Sequence, residues 1–306
     1  MANEPVTGKM HECVGVADGI TERTVWIDGE AGRLAGILTE TEREGPIERP
    51  VLIVHGWATY RVGPHGLLVR LARDIAAFGA SSLRFDLRGR GESEGQFLES
   101  DLDGMIADTT ACAHWLCERF GRNSVSAFGM CAGGNVAAAA AALGAPIGPL
   151  VVAGMLPYQS EKSGVERTAR ARSMRRALWA KVFRGETWKK LLTGRVRWRR
   201  ILGNLTGREA GGVTRDSAGA ERNLKDSAHD IPASFATYKG NTLLIFGGAD
   251  EEGRTSQAHF ESFAERHRMN AFFHVVEGAN HNFYSAEWTK ALIDRTLDFL
   301  AIERDG

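Results

Sequence analysis

No stretch of about 18 apolar residues, the length a bilayer-spanning helix needs, occurs in this chain of 306 residues. The richest candidate, residues 136–156, is interrupted by Gly144, Pro146, Gly148 and Pro149. The first 19 residues hold charges and no apolar core, so no secretory signal is expected there. Cysteine is scarce. Cys13, Cys112, Cys117 and Cys131 are the four in the sequence, and their spacings suit neither a disulfide framework nor a zinc site. A reduced, cytoplasmic setting is the expectation. Net charge is missing too: 38 Lys and Arg balance 38 Asp and Glu, so the whole molecule advertises no nucleic-acid or membrane partner.

The core is in ordinary supply. At 43% apolar and 25% charged the composition is that of a soluble protein, and the length suits one large domain or one domain with an insertion. Apolar strand-like runs alternate with helical patterns. Val51–Val54, Ser81–Phe85, Val125–Phe128, Pro149–Ala153, Leu243–Phe246 and Phe272–Val276 read as strands, after an opening hairpin over Thr24–Asp28 and Leu34–Leu38. Leu67–Phe78, Leu102–Phe120, Ser256–His267 and Ala286–Leu300 read as helices between and after them. This alternation implies an α/β fold, a mostly parallel sheet flanked by helices on both faces.

One region breaks the pattern. Residues 157–231 offer no convincing core strand, contain Trp179, Trp188 and Trp198, and are basic: from 157 to 230 there are 18 Lys and Arg against eight Asp and Glu. The rest of the chain is acidic by the same margin. The expectation is a helical cap (157–231) inserted into a core made of 1–156 and 232–306. Its charge either draws anionic substrates or pairs with the acidic core.

The informative stretch is Gly129-Met130-Cys131-Ala132-Gly133, set between the strand at Val125 and an alanine-rich helix. A strand that turns at once into a helix forces its middle residue into a strained backbone and needs small neighbours. Cys131 would then stand at the top of the sheet and at a helix N-terminus, where the dipole favours a thiolate. Serine is the usual residue of this Gly-x-nucleophile-x-Gly pattern. A buried cysteine in a glycine-rich turn is the plain alternative. A nucleophile needs a base, and the base an orienting acid. Asp250 follows the strand Leu243–Phe246 and His281 follows Phe272–Val276, in the chain order that such folds use. Glu251 and Glu252 are rival acids further from the strand end. His55, His114, His259, His267 and His274 read as structural or surface residues. For an oxyanion hole the backbone N–H of Ala132 is one donor and that of Trp57, in the loop His55-Gly56-Trp57, the other. The Trp57 indole and Met130 are the expected substrate-binding side chains.

With His55-Gly56-Trp57, Asp86-Leu87-Arg88-Gly89-Arg90-Gly91-Glu92-Ser93, the elbow at Cys131, Asp250 and His281 in place, the chain resembles an α/β-hydrolase fold enzyme over nearly its full length. Within that superfamily it is similar to capped serine-aminopeptidase-like or lysophospholipase-like hydrolases. Its cysteine is similar to that of dienelactone hydrolase and the exosortase-associated hydrolases. The resemblance implies acyl chemistry with no metal or organic cofactor. Three readings follow: a Cys–His–Asp hydrolase of an ester, thioester or lactone; an acyltransferase passing the acyl group from Cys131 to an amine or alcohol; and a non-catalytic binding protein. The expected partner is a small-molecule acyl substrate, anionic or bound to coenzyme A or acyl carrier protein where the basic segment selects it.

Overall fold

In a computed structural model of the chain, the described residues are 13–57, 59–97, 100–158, 213–215, 221–223 and 227–303. An antiparallel ladder opens the fold: β1 (Cys13–Ala17), β2 (Ile20–Gly29) and β3 (Gly32–Thr41). The expected hairpin is therefore longer, with an extra strand outside it. Much of β1 and of the first half of β2 faces solvent. Then come β4 (Val51–Val54), α1 (Leu67–Ala77), β5 (Ser82–Phe85), α2 (Leu102–Phe120), β6 (Val125–Met130), α3 (Ala132–Ala142) and β7 (Ile147–Ala153). A two-stranded ribbon, β8 (Val213–Arg215) and β9 (Glu221–Asn223), is followed by α4 (Ile231–Ala236) and β10 (Thr242–Gly247). The last elements are α5 (Glu251–His267), β11 (Ala271–Val276) and α6 (Ala286–Ile302).

Among the described residues one sheet runs in the order β1-β2-β3-β5-β4-β6-β7-β10-β11. From β5 to β11 all neighbours are parallel, and β3 joins β5 antiparallel. Every residue of β4 and β10 is buried, as strands covered on both faces require. The helices cover those faces for legible reasons. α1 buries the stripe Leu67, Leu68, Leu71, Ala72 and Ile75. Asp101 caps α2 by accepting from Gly104 N–H at 2.8 Å, and Gly121 ends it in a left-handed turn. Ser285 caps α6 through Trp288 N–H at 3.1 Å. α3 is nearly all alanine and glycine, and short side chains let it lie close on the sheet: a Cβ on Gly134 would sit 3.2 Å from Val152 Cβ. Between α1, α6 and the sheet lies a core of Val51, Ile53, Leu71, Phe128, Leu243 and Leu297, among others. Each fully buried large side chain there contributes about 1.5–3 kcal/mol.

The strand order positions the site. From β4 the chain steps to one side to form β5, then crosses back to the other side of β4 to form β6. The loops leaving β4 and β6 thus diverge, and a crevice opens at their C-terminal ends. The chain divides into two compact units, Met1–Leu156 with Ser227–Gly306, and Pro157–Asp226. In the second, the described residues are Pro157, Tyr158 and the ribbon, where Val213 pairs with Asn223. Most of the helical cap read from the sequence, including residues 159–212 with the arginine clusters and Trp179, Trp188 and Trp198, lies outside the described residues. No helix among the described residues is long and apolar enough to cross a membrane.

Candidate active site

β6 ends at Met130 and α3 starts at Ala132, so Cys131 alone turns strand into helix. Its backbone lies at φ 53° and ψ −123°, a strained setting that costs a non-glycine residue about 1–3 kcal/mol. Cys131 N–H donates to Ala153 O at 2.7 Å and Gly134 N–H to Cys131 O at 2.9 Å, which fix the turn. Space demands the flanking glycines. A Cβ on Gly133 would stand 2.3 Å from His55 O, and one on Gly129 would stand 2.6 Å from Gly133 O. The elbow is therefore pressed against the end of β4, and the loops on either side of the crevice meet there.

β10 and β11 pair in register up to Gly247 and Val276, so the loops after them emerge side by side. They bring His281 Nδ1 within 2.8 Å of Asp250 Oδ2. The imidazole also acts on the Cys131 thiol, and each shifts the other's pKa. With Nδ1–H donated to the carboxylate, Nε2 is the nitrogen left for sulfur. Glu251 and Glu252 are exposed in the first turn of α5, and the imidazole's partner is Asp250. The ring rests on Gly154, just past β7, where a Cβ would come within 3.1 Å of His281 Cε1. Gly154 belongs to the site although it bears no chemistry, and the sequence reading passed over it.

These contacts set the charges. Burial pushes the Cys131 thiol up, but the hydrogen bond and charge of His281 and the Ala132 N–H outweigh it, and its pKa falls below the ordinary thiol range. The hydrogen bond His281 donates to Asp250, then its interaction with Cys131, raise His281 to about 10 against the effect of burial. Burial likewise pushes Asp250 up, and His281 with the first-turn N–H groups of Gly253 and Glu252 brings it below the usual carboxylate value. All three shifts favour a thiolate facing an imidazolium.

The loop after β4 is assembled from a distance. His55, 1% exposed, sits directly past the strand. Its Nε2 accepts from Leu87 N–H at 3.1 Å, so Nδ1 carries the proton and donates to Gly56 O at 2.7 Å. Burial lowers its pKa to about 4, which keeps the ring neutral in that tautomer. Gly56 O and Trp57 N–H belong to one trans peptide unit and point in opposite directions. By holding the carbonyl, His55 aims the Trp57 N–H. His55 is structural, one of the expected readings, and with Thr59, whose N–H and Oγ1 reach the same carbonyl at 3.3 and 3.1 Å, it orients this loop. Gly56 itself faces the elbow: a Cβ there would lie 3.4 Å from Met130 O and 3.7 Å from Cys131 Cβ. On the other side of Trp57, Arg90 Nε donates to Trp57 O at 2.9 Å, and the guanidinium lies 4.9 Å from the indole centroid and 4.8 Å from that of Phe97. Arg90 is in turn held by Ser100 Oγ at 2.8 Å and Arg88 O at 3.1 Å, and Arg88 pairs with Asp108 at 2.7 Å. The segment 86–93 is thus scaffold for the loop. Of the two expected substrate-binding side chains, Trp57 is half-buried beside this scaffold. Met130 is 2% exposed and packs in the core, because its position on β6 points it into the sheet's covered face.

A model of the family described as serine aminopeptidase, S33, matches residues 45–287. No curated protein matches the sequence. Among solved structures, dienelactone hydrolase from Anabaena variabilis is similar with a TM-score of 0.60 at 16% identity, over 94% of this chain and 100% of its own. Est1E from Butyrivibrio proteoclasticus, with ferulic acid bound, reaches 0.61 at 16% identity over 90% and 99%. An esterase of Pyrococcus furiosus reaches 0.61 at 18% identity over 91% and 90%. At these identities the likeness is one of fold, and the fold is that of the α/β-hydrolases.

Proposed function

This chain belongs to the serine aminopeptidase, S33, family, and on that premise we propose that it hydrolyses an ester, thioester or lactone through an acyl-cysteine at Cys131. The observation that carries the reading is the Asp250–His281 pair, 2.8 Å apart, with the imidazole acting on the thiol of Cys131 at a strained strand-to-helix turn. The names of the similar structures, an esterase and a dienelactone hydrolase, agree with it in bond type.

In this reading the Cys131 thiolate attacks the substrate carbonyl, and the carbonyl oxygen gains the negative charge. Ala132 N–H, already directed at the sulfur, and Trp57 N–H, aimed by His55, stabilise that oxyanion. The C–O or C–S bond to the leaving group breaks as His281 gives up its Nε2 proton to that group. A thioester on Cys131 remains. Neutral His281 then takes a proton from water, the hydroxyl adds to the thioester carbonyl, and the acid departs as the thiolate and imidazolium re-form. Asp250 keeps its negative charge throughout and holds the ring in one orientation. Amides suit this site poorly, because the thiolate leaves the tetrahedral intermediate more readily than an amine does.

Trapping the intermediate tests the proposal. An acid-quenched reaction with a p-nitrophenyl ester should leave the acyl mass on the peptide that contains Cys131. Cys131→Ala should show no such adduct and lose turnover by at least about 10³-fold while still folding, since alanine tolerates the small turn as well as cysteine does. Turnover that survives the substitution contradicts the assignment.

A further inference from the structure

Four non-glycine residues among those described have left-handed backbones: Cys131, Arg268, His65 and Phe283. Cys131 is the elbow and Arg268 ends α5, a common place for that conformation. The other two have no such excuse, and they lie on two segments that a hydrogen bond joins. Phe283 lies two residues past His281, at φ 50° and fully buried. His65 lies at φ 43° in Gly63-Pro64-His65-Gly66, on the segment that continues from the Trp57 loop to α1. Strain of this kind persists only where surrounding contacts over-determine it.

The contacts are specific. Inside the His281 loop, Asn280 Oδ1 accepts from the N–H groups of Asn282 and Tyr284, each at 3.2 Å, and Phe283 N–H donates to Asn280 O at 3.1 Å. Thr289 Oγ1 donates to Phe283 O at 2.8 Å. From outside, His65 Nε2 lies 3.0 Å from Asn282 O, so Nε2 carries a proton and donates it to the carbonyl next to His281. The His65 ring also lies 4.9 Å from that of Tyr284, which is 64% exposed. We propose that His65 is a positioning residue for His281: its Nε2–H, held on the Asn282 carbonyl, ties the loop of the base to the segment of the oxyanion donor. The two loops then keep a fixed separation across the thiol. The inference rests on the acyl-cysteine reading above.

Three substitutions test it on the full chain with one activated ester. His65→Phe keeps a ring against Tyr284 and removes the donor; it should lower kcat about tenfold with KM unchanged within about twofold. His65→Gln places an amide N–H at nearly the reach of Nε2 and should restore kcat to within about threefold of the parent. His65→Ala should match His65→Phe, and it keeps the test open if the larger ring impairs folding. Parent-like kcat in His65→Phe or His65→Ala overturns the inference, as does failure of glutamine to rescue, or a rise in KM at constant kcat. Activity in Cys131→Ala would instead defeat the underlying chemistry, so the two failures are told apart.

Discussion

Residues 129–134 make the elbow almost unaided, with three glycines that leave room, a cysteine that bends, and backbone bonds to β7 and within the turn itself. Residues 55–61, on the facing side of the crevice, borrow their shape. His55 depends on Leu87 N–H, the Trp57 carbonyl on Arg90, and Arg61 N–H donates to Asp86 Oδ1 at 2.7 Å. The first half of the site is local and sterically locked. The second is suspended from backbone and side-chain groups 25 to 33 residues away, and each support can fail separately. A locked element should respond to change all at once, and a suspended one by degrees.

Gly133→Ala tests the locked half and carries the largest expected effect. Its new Cβ meets backbone, His55 O at 2.3 Å and Val54 O at 2.5 Å, and no side chain can swing away. Overpacking of this kind costs about 1–3 kcal/mol and displaces the thiol, so turnover should fall by at least about 10³-fold with a clear drop in the unfolding midpoint. Activity near that of the parent would mean the elbow is not locked. His55→Leu tests the suspended half. It deprives the buried Leu87 N–H of its acceptor and releases the Gly56 carbonyl, while Thr59 Oγ1 still donates to that carbonyl at 3.1 Å. A misaimed oxyanion donor should lower kcat about ten- to hundredfold with little change in KM, and His55→Asn, which retains a donor near Nδ1, should lose less. A pure KM effect would place Trp57 in substrate binding rather than oxyanion stabilisation.

The same contrast explains what could be read in the sequence. The strand-to-helix turn at Cys131 and the strand-end positions of Asp250 and His281 were legible because each is announced by its own neighbours: a strand before it, glycine beside it, a helix after it. α2 matched its pattern from Leu102 to Phe120 because Asp101 and Gly121 mark its ends. His55 reads only as structural or surface in the sequence because its function lies in a bond to Leu87, which no spacing reveals. Gly154 and His65 were missed for a like reason: one seats an imidazole from another loop, the other bonds a carbonyl 217 positions away. Met130, expected as a substrate-binding side chain, is 2% exposed and packs in the core.

The central claim is that Cys131 is an activated thiolate on which turnover depends, and limited iodoacetamide treatment at neutral pH measures it most directly. Cys112 and Cys117 are buried, with thiols pushed up by that burial, and Cys13 is exposed. Peptide mapping should find Cys131 modified before Cys13, with Cys112 and Cys117 spared, and activity should decline in proportion to the Cys131 adduct. Protein fully modified at Cys131 that still turns over substrate, or a Cys131 that reacts no faster than Cys13, would contradict the claim.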